Sequence, residues 1–223
     1  MHACELFSDL NDKNGAVRGF LHRSSIPEAD CLVLTHGAGA NCESPLLVAL
    51  AEAFCAMGLT VLRCDLPFRQ TRPHGPPPRG SAERDQAGLR AAVDAMRRLN
   101  PARIFLGGHS YGGRQASMLA ASEPQLVSGL LLLSYPLHPP KQPEQMRTGH
   151  FPSLRVPGLF VHGMRDGFGT IEEMNPALAL IPAQTELLAI ASAGHELMTK
   201  SNREDLIAAV TLSFGTFLRA NAQ

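Results

Sequence analysis

Six short apolar segments recur along the chain, and longer segments with apolar residues at helical spacing lie between most of them. The short segments are nearly continuous in apolar residues, which is typical of strands covered on both faces. They are CLVLTHG (31–37), LTVLRCDLP (59–67), RIFLGGHS (103–110), VSGLLLLSYP (127–136), VPGLFVHG (156–163) and TELLAIASAGH (185–195). An earlier segment, AVRGFLHR (16–23), shows more alternation and predicts an antiparallel strand at the edge of the sheet.

Five segments repeat apolar residues every three or four positions and predict helices: residues 44–57, 81–99, 111–122, 172–180 and 203–218. Strands that alternate with helices predict the α/β class, with a mainly parallel twisted sheet and helices on both faces. No internal repeat or shift in composition marks a second domain, so we expect a single domain over residues 1–223. Sites in such sheets form beyond the carboxyl ends of the strands.

Ser110 lies at the centre of a G-x-S-x-G pattern formed by residues 108–112, between an apolar strand and a helical segment. This context indicates a nucleophile elbow, a sharp turn that presents the serine hydroxyl. The N–H of Tyr111, at the start of the helix, would then face a developing oxyanion. The alternative is a glycine-rich phosphate-binding turn, which the sequence disfavours because it lacks both G-x-G-x-x-G spacing and a Walker lysine.

A serine nucleophile needs a base and an acid that orients the base. Asp166 and His195 each follow a predicted strand, so the candidates occur in the chain order Ser110, Asp166, His195. Glu196 and Asp65 compete with Asp166 for the acid position, and Glu196 is disfavoured because it is adjacent to the base it would orient. Three other histidines that flank glycines or Ser110 are interpreted as packed residues rather than metal ligands: His36, His109 and His162.

The loop LTHGAGAN (34–41) is expected to supply the second N–H of an oxyanion hole, from Ala38 or a neighbour such as Gly37. Two proline-rich segments, residues 66–80 and 136–157, follow strand ends and are expected to form the rim of an open site. Tyr135, at the end of a predicted strand, and Arg69 and Arg72, on the first loop, are candidates for contact with substrate. The basic side chains of the two loops would suit an anionic acyl chain or a negatively charged partner: Arg69, Arg72, His74, Arg79, Lys141 and Arg147. The alternative for the loop arginines is that they only solubilise an exposed surface, and this is favoured because such side chains are mostly exposed.

Composition limits the choice of partner and compartment. The 20 basic and 20 acidic residues balance, so no overall field favours nucleic acid or an anionic membrane, and a small molecule or a protein is the expected partner. Five cysteines without C-x-x-C spacing favour buried free thiols in a reducing compartment. The first residues lack the pattern of a signal peptide and no apolar segment is long enough to span a membrane, so the expected location is cytoplasmic.

The segments LTHGAGAN, GGHSYGGRQAS, VHGMRDGFG and AGHEL together resemble the α/β-hydrolases. More narrowly, they are similar to a small lid-poor branch that includes dienelactone-hydrolase-like proteins and KANL3/Tex30-type hydrolase-like domains. The likeness spans roughly residues 16–218. It implies a sheet of eight strands or slightly fewer, with the second strand antiparallel, minimal or no cap domain, and a Ser-His-Asp triad at Ser110, His195 and Asp166. Dienelactone hydrolases proper have cysteine at the nucleophile position, where this chain has Ser110.

These features together predict a serine hydrolase that acts on a small ester or thioester through an acyl-serine. Such chemistry requires no metal and no organic cofactor. Two alternatives stay open at this point: a non-catalytic scaffold that uses the hydrolase fold to bind a protein, and an acyltransferase or perhydrolase that uses the same triad. The oligomeric state is not indicated by the sequence.

Overall fold

The computed structural model describes residues 4–10, 15–191 and 193–222, and these contain one sheet of eight strands. The strands are β1 (Cys4–Asp9), β2 (Val17–His22), β3 (Cys31–Thr35), β4 (Thr60–Cys64), β5 (Ile104–His109), β6 (Gly129–Leu133), β7 (Gly158–Gly163) and β8 (Thr185–Ile190). Their spatial order is β1-β2-β4-β3-β5-β6-β7-β8, with β2 antiparallel to both of its neighbours. The other neighbouring pairs are parallel. The predicted α/β fold with a mainly parallel sheet is therefore confirmed.

Six helices lie in the described part of the chain: α1 (Pro45–Ala56), α2 (Pro67–Thr71), α3 (Ala82–Arg97), α4 (Tyr111–Ser122), α5 (Ile171–Leu178) and α6 (Arg203–Ala220). One apolar layer joins the sheet to α3, α4 and α5, and a second layer joins the opposite face to α1 and α6. Alternate residues of one strand enter opposite layers, as Leu106 and Phe105 of β5 do. Burial on both faces accounts for the nearly continuous apolar segments of the sequence.

Two elements were not predicted. Strand β1 occupies the sheet edge, so the expectation that residues 16–23 form the edge strand is wrong, and β2 lies one position inward. Helix α2 lies inside the first proline-rich segment, where Pro67 is its first residue and supplies a helical φ. Between β6 and β7 the chain forms a loop with only a three-residue 3₁₀ turn, Phe151–Ser153, so no cap domain covers the sheet there.

Four of the five free cysteines are buried, as expected, whereas Cys4 is exposed on the edge strand β1. The carboxyl ends of β3, β5, β7 and β8 meet at one edge of the sheet because these strands are parallel. The loops that leave these ends carry the candidate catalytic residues. No helix among the described residues combines the length and the apolar character that crossing a membrane requires.

Candidate active site

Ser110 lies in the turn that joins β5 directly to α4, with its backbone at φ +51° and ψ −115°. A residue with a side chain adopts a positive φ only at an energetic cost, which the surrounding packing must offset. A Cβ on Gly112 would lie 2.5 Å from the His36 carbonyl oxygen, and one on Gly108 would lie 2.8 Å from the carbonyl carbon of Gly112. Glycine at both positions therefore lets β5, α4 and the end of β3 approach closely enough to hold the strained turn.

His195 lies in the loop between β8 and α6, and its Nε2 atom is 2.7 Å from Ser110 Oγ. The two residues are 85 positions apart in the chain, and the parallel arrangement of β5 and β8 brings them together. The imidazole is partly exposed, with 18% of its side chain accessible. The distance is that of a hydrogen bond between a hydroxyl donor and an imidazole acceptor. A base is thus within proton-transfer reach of the serine hydroxyl.

Asp166 follows β7 and accepts a hydrogen bond from His195 Nδ1, with distances of 2.8 Å to Oδ2 and 3.0 Å to Oδ1. The Phe168 N–H donates to the same carboxylate at 2.8 Å. Burial works against the ionisation of Asp166, but the hydrogen bond and charge of His195 and the Phe168 N–H hold its pKa below the ordinary value. The ionised carboxylate keeps the imidazole proton on Nδ1, so the Nε2 lone pair faces Ser110.

Aromatic and imidazole side chains fix the position of His195. The ring of Phe168 stacks on its imidazole with the centroids 4.0 Å apart and the planes at 29°. His109 Nε2 donates to the His195 carbonyl oxygen at 2.8 Å, and burial lowers the pKa of His109. His162 Nε2 donates to Gly169 O at 2.8 Å and lies 3.7 Å from Asp166 Oδ2. His109 and His162 are thus each hydrogen-bonded to a backbone carbonyl beside the candidate site. Among the described residues, no group of three or more His, Cys, Asp or Glu side chains is arranged to hold a metal.

The loop after β3 faces Ser110 and is held by Arg69. Residues 37–40 form a tight turn, with the Ala40 N–H donating to the Gly37 carbonyl at 3.1 Å. The Arg69 guanidinium donates to the carbonyl oxygens of Ala38 at 2.8 Å and Ala40 at 2.7 Å. Gly37 and Ala38 line the cavity at Ser110, as does Tyr111, whose N–H is at the first position of α4 and has no carbonyl partner within the helix.

A cavity of about 930 Å³ opens above Ser110 and His195. The first proline-rich loop contributes Pro77 and Pro78, and the second contributes Pro136, so both loops border the site. Three charged side chains of the lining are basic, and one is acidic: Arg79, Arg114, Arg147 and Glu196. The cavity is therefore lined by more positive than negative groups.

Three sequence candidates for substrate contact are placed elsewhere by the structure. Arg69 is only 5% exposed, and besides the two carbonyls above it donates to those of Arg72 and Gly75, both at 2.9 Å, so its donors face the protein. The Arg72 side chain is exposed outside the cavity lining. Tyr135 is fully buried, and its hydroxyl donates to the Arg147 carbonyl at 2.7 Å.

The competitors for the acid position also lie apart from the imidazole Nδ1. Asp65 accepts the Cys42 N–H at 2.8 Å and lies 3.5 Å from His36 Nε2, and Glu196 is exposed beside the base. Arg147, one of the basic side chains expected on the second proline-rich loop, lines the cavity, and so does Arg114, which was not among the candidates. The position of Arg114, four residues after the serine of the elbow, is the sequence signal that could have identified it.

The elbow serine, the hydrogen-bonded histidine and aspartate, and the sheet order define a chain of the α/β-hydrolase class. A model of the alpha/beta hydrolase domain family matches residues 28–213, and the chain belongs to that family.

Solved structures share this fold over nearly the whole chain. Est1E from Butyrivibrio proteoclasticus is 17% identical, with 97% of this chain and 98% of that chain covered and a TM-score of 0.77. A dienelactone hydrolase from Anabaena variabilis is 19% identical, with 96% and 99% covered and a TM-score of 0.75. An esterase from Pyrococcus furiosus is 16% identical, with 98% and 91% covered and a TM-score of 0.75. At these identities the likeness establishes the fold.

Proposed function

We propose that the protein is a serine hydrolase that cleaves a small-molecule ester or thioester through an acyl-serine intermediate. The observation that carries this proposal is the hydrogen-bonded chain from Ser110 Oγ through His195 to Asp166, at 2.7 Å and 2.8 Å, on the floor of an open cavity. A serine that is only structural needs neither a strained backbone nor an oriented imidazole at its hydroxyl. The names of two similar structures, a dienelactone hydrolase and an esterase, support the choice of a carboxylic ester.

In the first half-reaction, Ser110 Oγ forms a bond to the carbonyl carbon while its proton moves to His195 Nε2. Asp166 is ionised because its pKa is held low, and its carboxylate stabilises the imidazolium that forms. The tetrahedral intermediate collapses when the proton passes from His195 to the leaving alcohol or thiol. In the second half-reaction, a water molecule gives a proton to His195 and its oxygen bonds to the acyl carbon. The bond from that carbon to Ser110 Oγ then breaks as His195 returns the proton to Oγ, which releases the acid and restores Ser110.

The negative oxygen of each tetrahedral intermediate would be bound by the N–H groups of Tyr111 and Ala38. The N–H of Tyr111 is at the positive end of the α4 dipole, which favours an anion at that place. Arg69 supports the second donor indirectly, because it holds the carbonyl oxygens on either side of Gly39. Each donor of this kind is worth about 3 kcal/mol of barrier.

A fluorophosphonate probe tests the proposal, since it reacts with activated serines and mimics the tetrahedral intermediate. We expect the folded wild type to be labelled at Ser110, Ser110→Ala to be unlabelled, and Ser153→Ala, a control at an exposed serine outside the cavity, to be labelled like the wild type. A panel of esters and thioesters of graded acyl length would then identify the substrate class. Folded wild type that stays unlabelled would contradict the proposal and favour the non-catalytic scaffold.

A further inference from the structure

Two arginines line the cavity beside Ser110 without a carboxylate partner. Arg114 lies in the first turn of α4, and Arg147 lies in the loop between β6 and β7. Among the described residues, neither guanidinium forms an ion pair. Both side chains are partly buried, so water screens their charges incompletely. Partly buried arginines are usually paired with an acidic group, so the lack of a carboxylate partner requires an explanation.

Helix geometry places the Arg114 side chain at the serine end of α4. The Arg114 N–H donates to the Ser110 carbonyl at 3.0 Å, so the two residues are one helical turn apart. Side chains of a helix tilt toward its N-terminus, which is here the end that carries Ser110. The Nε atom of Arg114 is buried and has no hydrogen-bond partner among the described residues. The next residue, Gln115, is fully buried, also lines the cavity, and has an equally unpartnered Nε2 donor.

The backbone of Arg147 is held by hydrogen bonds at both its N–H and its carbonyl, which fixes the point from which its side chain extends. Its N–H donates to the Leu137 carbonyl at 2.7 Å, and its carbonyl accepts the hydroxyl of the buried Tyr135 at 2.7 Å. Burial and the nearby charge of Arg114 lower the pKa of Arg147, so the two cations lie close enough to repel each other. Burial and the same Arg114 charge lower the pKa of His150 to about 4. No carboxylate of the described residues is among the groups that shift these two pKa values.

Neither of the acidic groups near the cavity is paired with Arg114 or Arg147. Asp85 is fully buried and accepts the Tyr111 hydroxyl at 2.7 Å and the Phe68 N–H at 3.1 Å. Glu196 lines the cavity next to the base His195 and is exposed. The guanidinium groups of Arg114 and Arg147 thus form an electropositive side of the cavity, which we name the arginine pair, and the unpartnered Nε2 donor of Gln115 lines the same cavity.

We propose that the arginine pair binds an oxyanion group of the substrate, a carboxylate or a phosphate, so that the preferred ester or thioester is anionic. This inference rests on the proposed function and specifies its substrate class. Guanidinium groups bind such oxyanions through two parallel hydrogen bonds, which also orient the ligand. An anion bound there relieves the repulsion between the two cations and positions the scissile carbonyl over Ser110.

Binding to the Ser110→Ala variant tests the inference without turnover. The probes are monomethyl glutarate, which carries one carboxylate, its neutral analogue dimethyl glutarate, and inorganic phosphate. We expect at least one anion to bind saturably in calorimetry and more tightly than dimethyl glutarate. Adding Arg114→Gln or Arg147→Gln should weaken the binding of that anion by about tenfold or more. Arg72→Gln, which removes an equal charge outside the cavity, should change it by less than about threefold.

A kinetic comparison gives a second readout. For the wild type, we expect a higher kcat/KM with the 4-nitrophenyl monoester of glutaric acid than with 4-nitrophenyl pentanoate, and this ratio should fall by about tenfold in Arg147→Gln. Thermal unfolding checks that each variant is folded. If Arg114→Gln does not fold, Arg114→Lys tests the same position, because it keeps the charge and loses the paired hydrogen bonds.

The outcomes separate the two proposals. Saturable anion binding that both arginine variants weaken supports the inference even if no probe labels Ser110, in which case only the hydrolase proposal fails. If neither anion binds to Ser110→Ala, or if Arg72→Gln weakens binding as much as Arg114→Gln does, the inference is overturned. Labelling of Ser110 together with equal kcat/KM for neutral and anionic esters would likewise overturn the inference and leave the hydrolase proposal intact.

Discussion

Replacement of Gly112 by alanine tests whether the contact between α4 and the end of β3 fixes the elbow. The added Cβ would lie 2.5 Å from the His36 carbonyl oxygen and 2.6 Å from Thr35 Cγ2. Neither neighbour is the free end of a long side chain, since one is backbone and Thr35 is fully buried with its hydroxyl bonded to the Cys64 carbonyl at 3.1 Å. Ordinary contacts need about 3.5 Å, so the start of α4 must move by about 1 Å.

Two opposing effects decide how much Gly112→Ala changes the free energy of unfolding. Alanine is the better helix former and would by itself stabilise α4 by up to about 1 kcal/mol. An extra methyl group in a closely packed site costs about 1–3 kcal/mol. Because both clashing atoms are held in place, we expect a net loss of about 1–2 kcal/mol in the free energy of unfolding, which lowers Tm by about 2–8 °C. A displacement of about 1 Å at the nucleophile should lower kcat/KM by about a hundredfold.

The assay combines thermal unfolding with hydrolysis of 4-nitrophenyl acetate and the rate of fluorophosphonate labelling. Gly149→Ala is the matched control, because a Cβ there meets no atom within 4 Å and its φ is outside the left-handed region. We expect the control to keep both the Tm and the kcat/KM of the wild type. If Gly112→Ala raised Tm, as helix propensity alone requires, and kept kcat/KM within about twofold, the argument that close packing holds the elbow would be refuted.

Three further outcomes follow from the same contacts. Asp166→Asn should lower kcat/KM by about three to four orders of magnitude in steady-state ester hydrolysis, because an amide does not hold His195 in the required tautomer. The pKa of Asp166 lies below its ordinary 3.8, so the ionised carboxylate stabilises the fold above that pH. The difference in the free energy of unfolding between wild type and Asp166→Asn should therefore shrink as pH falls below about 4, which urea titrations at several pH values measure. Arg69→Met leaves four carbonyl oxygens without their donor and should lower the free energy of unfolding by about 3 kcal/mol, against less than about 0.5 kcal/mol for Arg72→Met in parallel urea titrations. Arg69→Met should also lower kcat/KM equally for neutral and anionic esters, because Arg69 faces the Ala38 loop and not the substrate. An effect confined to anionic esters would instead make Arg69 a substrate ligand.

The centre of the sheet could be predicted because strands β3 to β7 are buried on both faces, which produces nearly continuous apolar segments in the sequence. The partly buried β8 was predicted from its apolar composition alone. The strand pattern located the candidate site, since Ser110, Asp166 and His195 each follow a predicted strand and parallel strands end at a common edge. Their roles in catalysis stay predictions. So do the single domain over residues 1–223, the cytoplasmic location and the likeness to the KANL3/Tex30-type domains.

The missed elements lack that signal. Strand β1 lies at the edge with most of its residues exposed, so neither a continuous nor a regularly alternating apolar pattern marks it. Helix α2 has five residues, which is too short for a helical period to be read from the sequence. Its position matters for the site, because it carries Arg69 beneath the loop that contains Ala38. Spacing along the chain does not indicate such contacts between loops.

Arg69 and Arg114 show why residue type and loop position are weak guides to the proposed anion site. The donors of Arg69 are satisfied by backbone carbonyls, which makes it part of the framework. Arg114 lies in the first turn of α4, where the helix dipole disfavours a cation and where the helix has no acidic residue. A residue that costs stability in its helix, lies beside the nucleophile and lacks a carboxylate partner among the described residues is expected where function rather than folding determines the residue. The unfavourable position of Arg114 is therefore a stronger indication of a binding role than the number of arginines on the surrounding loops.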